Sequence, residues 1–186
     1  MDSDGNPSRK LTVVVCANKF GVPLLEHRLA WFALTSDQRA AWAGFLRVHA
    51  TVTFALDEEL QQMHRLSLSE YDVLVQLSVG QDGERRMSEL AESVMLSRSG
   101  LTRLVERLER AGLAQRRRAT DDARATITSI TETGLALLAE ATPTHLDGVR
   151  RLFLDPIGDS QAGHLARAWS AILEPRRTEQ ELADTP

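Results

Sequence analysis

From Met87 to Gly134 the chain reads MSELAESVMLSRSGLTRLVERLERAGLAQRRRATDDARATITSITETG. Ser88 is placed to cap a short helix over 89–93, with Leu90, Ala91 and Val94 facing inward and a break at Met95 and Leu96. Ser97 is placed to cap a longer helix. Its apolar residues Leu101, Leu104, Val105 and Leu108 recur at i, i+3, i+4 and i+7, and Gly112 stands where helices commonly end in the left-handed conformation. Past Leu113 the spacing turns from helical to alternating: Ala114 to Arg118, a polar tip over 119–123, then Arg124 to Ile130, the pattern of a small hairpin. Helix, short helix, tight turn, second helix, hairpin is the order of a winged helix-turn-helix, in which the second helix enters a DNA major groove and the hairpin reaches the neighbouring minor groove.

Working outward, Ser67 and Glu70 form a capping box ahead of Tyr71, Leu74, Val75 and Leu77, predicting a helix over 68–79 that ends near Gly80, with a turn over 80–83. Thr35 and Gln38 form another. Trp42, Phe45, Leu46, His49, Val52, Thr53, Leu56 and Leu60 follow at three- and four-residue intervals, predicting a long amphipathic helix over 36–63. On the other side a helix starts at Thr131 with Leu135, Leu138, Leu146, Val149, Leu152 and Phe153 as its inner face and Pro143 within it; Pro156 and Gly158 end it. A last helix over 160–173 carries Leu165, Ala168, Trp169, Ile172 and Leu173, and Pro175 stops it. The reading is a mainly α chain with a small β-hairpin wing. A winged lobe over 66–131 lies between terminal helices over 36–63 and 132–174, with an unmatched extension over 1–35 and a tail over 176–186.

Composition agrees. At 186 residues, 42% hydrophobic and 26% charged, the chain has a core's worth of apolar residues and room for one domain. Its longest apolar run, Val13 to Ala17, is far below the roughly 18 residues that span a bilayer, and the segment around it lacks a cleavage site, so the sequence predicts a cytoplasmic protein without a membrane helix. The lone Cys16, in apolar LTVVVCA, forbids an internal disulfide and reads as an inert thiol rather than a redox sensor. His27, His49, His64, His145 and His164 lack metal-ligand spacing; no GxSxG, GxGxxG, phosphate loop or HExxH occurs. Neither an enzyme, a metal nor a cofactor is indicated.

Charge is unevenly spread. Residues 85–124 hold ten arginines against six acids, so this window is +4 and the remainder of a chain of net charge -4 is -8. That is the footprint of a polyanion site, or, in the plainer alternative, a solvated helix face on which Glu106 and Glu109 pair locally. On the second helix the apolar stripe leaves Arg98, Ser99, Thr102 and Arg103 outward near the N-terminus, where base edges are met in such docking. Arginine forks to guanine, hydroxyls serve bases and phosphates, and Ser97 and Ser99 lie where a helix N-terminus favours phosphate.

The SELA-like first helix, the SRSGLTRLVERLE second helix, AGL at its end, the basic strand, the Asp-x-Arg wing and T-x-x-G entering the next helix together resemble the MarR family, the multiple antibiotic resistance regulators of bacteria. The likeness extends more weakly over 36–175. It implies a DNA-binding transcriptional regulator, by family habit a repressor. It implies a homodimer whose interleaved terminal helices set two winged lobes on a palindromic operator in double-stranded DNA. By the same likeness Arg98, Ser99, Thr102 and Arg103 are the major-groove readers, Arg124 the minor-groove residue of the wing, and Asp122 the partner that orients it. The family often has two adjacent arginines at the tip, whereas this chain reads Asp122, Ala123, Arg124. Contacts from Arg116, Arg117 and Arg118 to the DNA backbone would make up part of the difference.

Dimerisation also follows from the residues. Apolar stripes with Trp42, Phe45 and Trp169 are more than a small lobe covers, so they call for a two-fold partner or for an intramolecular bundle of the long helices. Relatives often take a small aromatic or phenolic effector between the dimer helices and the winged lobe. Trp42, Phe45, His49 and Tyr71 are candidates to line such a space here, with core packing the plainer account. A winged-helix module that binds a protein rather than DNA is the alternative function.

Overall fold

The structure, a computed structural model, describes residues 33–94, 96–119 and 125–173. They form helices α1 (Ser36–His64), α2 (Leu68–Ser78), α3 (Met87–Ser93), α4 (Arg98–Arg110), α5 (Glu132–Val149) and α6 (Asp155–Leu173), with strands β1 (Glu84–Arg86), β2 (Ala114–Arg118) and β3 (Thr126–Ile130). The mainly α winged-helix architecture read from the sequence is present. Met95, the wing tip with Asp122 and Arg124, Cys16 and the tail lie outside the described residues.

Three of the four expected caps operate. At α1, Gln38 N–H donates to Thr35 Oγ1 (3.2 Å) and Thr35 N–H to Gln38 Oε1 (2.9 Å). At α2, Glu70 N–H donates to Ser67 Oγ (3.2 Å) and Ser67 N–H to Glu70 Oε2 (3.1 Å). At α4, Ser97 Oγ accepts from Gly100 N–H at 3.1 Å. Gly112, at φ +73°, ends that helix in the left-handed region where a side chain would be strained.

The chain divides into two compact units, one reaching Val48 and one from His49 onward. In the first, Trp42 and Phe45 stack with centroids 5.8 Å apart, and both face solvent. The second contains the winged lobe. Leu60, Leu66, Val73, Leu74 and Leu77 pack with Leu90 of α3, with Leu101, Leu104, Val105 and Leu108 of α4, and with Leu138 and Ala141 of α5. The stripe read on α4 is therefore its buried face.

Three expectations need correction. The wing is a three-stranded antiparallel sheet in the order β1-β3-β2, with Glu84 opposite Ser129 and Ala114 opposite Ile130. Strand β1 is three charged residues long and has no alternation to betray it. Because β1 runs straight into α3, that helix begins at Met87, and the residue at its cap position is Arg86 rather than Ser88; Arg86 N–H donates to Glu89 Oε2 at 3.3 Å. On α5 the buried line is Gly134, Leu138, Ala141 and Gly148, while Leu135 and Leu146 are half exposed. Small residues are needed there: a Cβ on Gly134 would run into the Leu113 carbonyl, and one on Gly148 into Leu56. Beyond α5 the helix continues through a π turn, Arg150–Leu154, into α6, which is broken at Gly158 (φ 68°, ψ 162°).

Candidate nucleic-acid interface

Once Leu101, Leu104, Val105 and Leu108 are buried, the opposite side of α4 is fixed as the side that faces out. Ser97, Arg98, Ser99 and Arg103 are exposed there, and Thr102 is half-buried. Ser97 Oγ, engaged in the cap, lies 3.2 Å from Ser99 Oγ. Thr102 donates its hydroxyl hydrogen to Arg98 O (2.9 Å), which leaves its oxygen lone pairs to accept. These five positions form one polar patch around the helix N-terminus.

The basic window is not uniform. Arg107 Nε meets Glu70 Oε1 at 2.9 Å. Arg116 is held by Glu109, Nε on Oε2 at 2.7 Å and its own N–H on Oε1 at 2.9 Å. Arg117 pairs with Glu84 at 2.6 Å. Arg85 Nε donates to Gln76 O (2.6 Å), and Arg110 Nε to Glu106 O (3.2 Å). Arg98, Arg103 and exposed Arg118 have neither an ion pair nor a side-chain hydrogen bond among the described residues. Of Arg116, Arg117 and Arg118, the first two are thus ion-paired and Arg118 is without an ion pair among the described residues. Sequence reasoning missed the anchoring roles of Glu70 and Glu84, because each partner lies more than thirty residues away along the chain.

A cleft of about 330 Å³ opens in the second unit, lined by His49 and Thr53 of α1, by Leu68, Ser69, Asp72, Val75 and Gln76 along α2, and by Ser93 and Val94. His49, one of the four residues expected to line an effector site, is here. Tyr71 is not: one residue before Asp72, it turns about 100° away into the core, where it is 5% exposed and its ring lies 4.5 Å from that of His145. Trp42 and Phe45 belong to the first unit. Ser69, Asp72 and Gln76, spaced as one helix face, were the legible signal for this cleft. Burial pushes the Asp72 carboxyl up although one edge stays in solvent, and His145 works against that shift; burial likewise pushes His145 down, with Asp72 opposing.

The α2 to β3 arrangement, with a capped, polar-faced second helix, defines the class: a winged helix-turn-helix protein. The model of the MarR family matches residues 66–126. AbsC, a MarR family transcriptional regulator from Streptomyces coelicolor, is 33% identical and superposes with a TM-score of 0.71, covering 76% of this chain and 95% of that one. Sco3205, a MarR family regulator from the same organism solved in complex with DNA, is 28% identical with a TM-score of 0.70, covering 78% and 93%. The transcriptional regulator PecS of Dickeya dadantii (strain 3937) is 29% identical over 120 residues, 64% of this chain and 71% of that protein. The chain belongs to the MarR family.

Proposed function

We propose that this protein is a transcriptional regulator that binds double-stranded DNA sequence-specifically as a homodimer, with the N-terminal half of α4 as its base-reading element. The carrying observation is the division among the arginines: among the described residues, those on the outward face at the start of α4 have no carboxylate against them, while most of the others are held internally. Arg98 and Arg103 are the base readers, with Ser99 and Thr102 beside them, Ser97 at the phosphate, and Arg118 on the DNA backbone. Arg124, oriented by Asp122, enters the minor groove from the wing. Sco3205 was crystallised with DNA, which favours the same activity here. The relatives named above are regulators, in keeping with a binding rather than a catalytic protein acting in the cytoplasm.

Dimerisation is supported by apolar side chains left open on α1 and α6: Phe54 is 65% exposed, Met63 66% and Ile172 71%. No described helix is long and apolar enough to cross a membrane and so account for them. The cleft beside α2 is the place for a small effector. Its lining holds hydroxyls, the His49 imidazole, an amide and one carboxylate and, among the described residues, neither arginine nor lysine, which fits an aromatic ring with hydrogen-bond donors.

The test is fluorescence anisotropy of the purified protein on DNA tiled across its own upstream region, at two salt concentrations with random DNA as competitor. Tight, salt-sensitive and competitor-resistant binding to one palindromic segment is expected. Binding that random DNA abolishes on every tile, and on operators selected from a random library, would overturn the reading in favour of a protein-binding winged helix.

A further inference from the structure

Glu70 holds two structures at once. As the third residue of α2 it closes the capping box through Oε2, and through Oε1 it receives Arg107 on α4, 37 residues later. Its side chain is 15% exposed against 49% for Arg107, so the carboxylate belongs to the interior and the guanidinium to the surface. Burial works to raise the Glu70 carboxyl, but the Ser67 N–H and Arg107 together hold it below the usual carboxylate range. The same first turn of α2 is fixed to α1 by Leu68 N–H on Asp57 Oδ1 at 2.8 Å. A polar line thus runs from α1 through the start of α2 to α4. Arg107 lies one turn on from Arg103, on the same stripe of the helix.

The leucines beneath α4 choose which side of it faces out, but apolar contact is non-directional and sets the roll only coarsely. A charge-assisted hydrogen bond from a guanidinium has a fixed direction. We infer that Glu70 is a positioning residue: through Arg107 it sets the roll of α4, aims Arg98 and Arg103, and ties that aim to the end of α2 that walls the cleft. This rests on the reading of α4 as the DNA-contacting helix. Leu68, Ser69 and Asp72 of the cleft wall lie within the first two turns of α2, so whatever displaces that wall displaces the anchor of Arg107.

Glu70→Gln separates the roles. Glutamine puts an NH2 donor in place of one of the two oxygens that the Ser67 N–H and Arg107 separately use, so one of these donors loses its acceptor position, yet it remains a good capping-box residue. The measurement is the ratio of Kd on random DNA to Kd on the operator found by tiling or selection, with Tm and salt slope alongside, for Glu70→Gln, Arg107→Gln and the double variant. Each single variant should lower the ratio about tenfold with the salt slope kept, and the double variant should be no worse than the poorer single, since coupled partners are non-additive. An unchanged ratio in Glu70→Gln, additive losses in the double, or equal weakening on both DNAs with a shallower slope in Arg107→Gln would each overturn the inference; the last would make Arg107 a phosphate contact. Should Glu70→Gln fold poorly, Arg107→Gln, at the half-exposed end of the pair, decides through its slope and ratio. Wild-type protein that discriminates no DNA would instead remove the functional reading on which the inference stands.

Discussion

Arg98 and Arg103, in the first two turns of α4, project to solvent with no carboxylate against them among the described residues, whereas Arg107, Arg116 and Arg117, a few positions on, end on Glu70, Glu109 and Glu84. In the sequence the two groups are one basic run. In the fold one group is bound to its own chain and the other offered outward. The comparison teaches that a charge count over a window overstates the cations a polyanion can use, because each internal pair neutralises one of them before any partner arrives.

The two groups should therefore fail differently. The largest effect belongs to the outward group: Arg103→Ala should cost about 1–3 kcal/mol on the operator while sparing random DNA, with Tm unchanged. Equal loss on both DNAs in anisotropy titrations would move Arg103 among the phosphate contacts and blunt the contrast. Next comes the bound group. Arg116→Ala removes two hydrogen bonds to Glu109 in a half-buried setting and should lower folding stability by roughly 1–2 kcal/mol in urea unfolding. Its DNA salt slope should stay the same, and a slope reduced by one would break the division between the groups. Smaller again, Arg118→Ala should weaken binding to all sequences alike and reduce the salt slope by about one.

The smallest effect sets a baseline away from the arginines. Burial, opposed by Asp72, pushes the His145 pKa down, and its Nδ1 is buried without a partner among the described residues. A folded-state pKa below the unfolded value of about 6.5 gives stability that is present above that value and lost as pH falls through the depressed one. Asp72, with its pKa raised, acts in the opposite sense at lower pH: its contribution is present below about 3.9 and gone once pH rises through its folded value. Tm should thus fall modestly as pH drops from neutral toward 5, and His145→Phe should flatten that slope. An unaltered slope in the variant would place the acid sensitivity elsewhere.

Much of the fold was legible because it was encoded locally. The caps at Thr35, Ser67 and Ser97, the stripe on α4 and the glycine at its end need only residues within a turn or two of one another. What stayed hidden depended on contacts distant in sequence. β1 is a strand only because β3 lies beside it, and three charged residues announce nothing alone. The inner face of α5 was misread because a search for large apolar residues passes over Gly134 and Gly148, which are buried by how closely another backbone or side chain approaches. In the candidate site, the outward positions on α4 followed from periodicity, but which arginines were already engaged did not. Tyr71 and Asp72 show the resolution limit of such reasoning, since adjacent residues on one helix face the core and the cleft.

The π turn at Arg150–Leu154 bears on how the C-terminal helices are aimed. A π turn accommodates one residue more than an α turn, so the helix leaves it rotated by about 100° from the bearing an unbroken α-helix would give. The segment acts as a dial between Val149 and Ile157. Removing a single residue from it would swing the face carrying Ile157 around the axis without altering any apolar side chain in α5. Insertion and deletion, rather than substitution, are thus the changes by which the exposed apolar residues at this end of the molecule can be re-aimed.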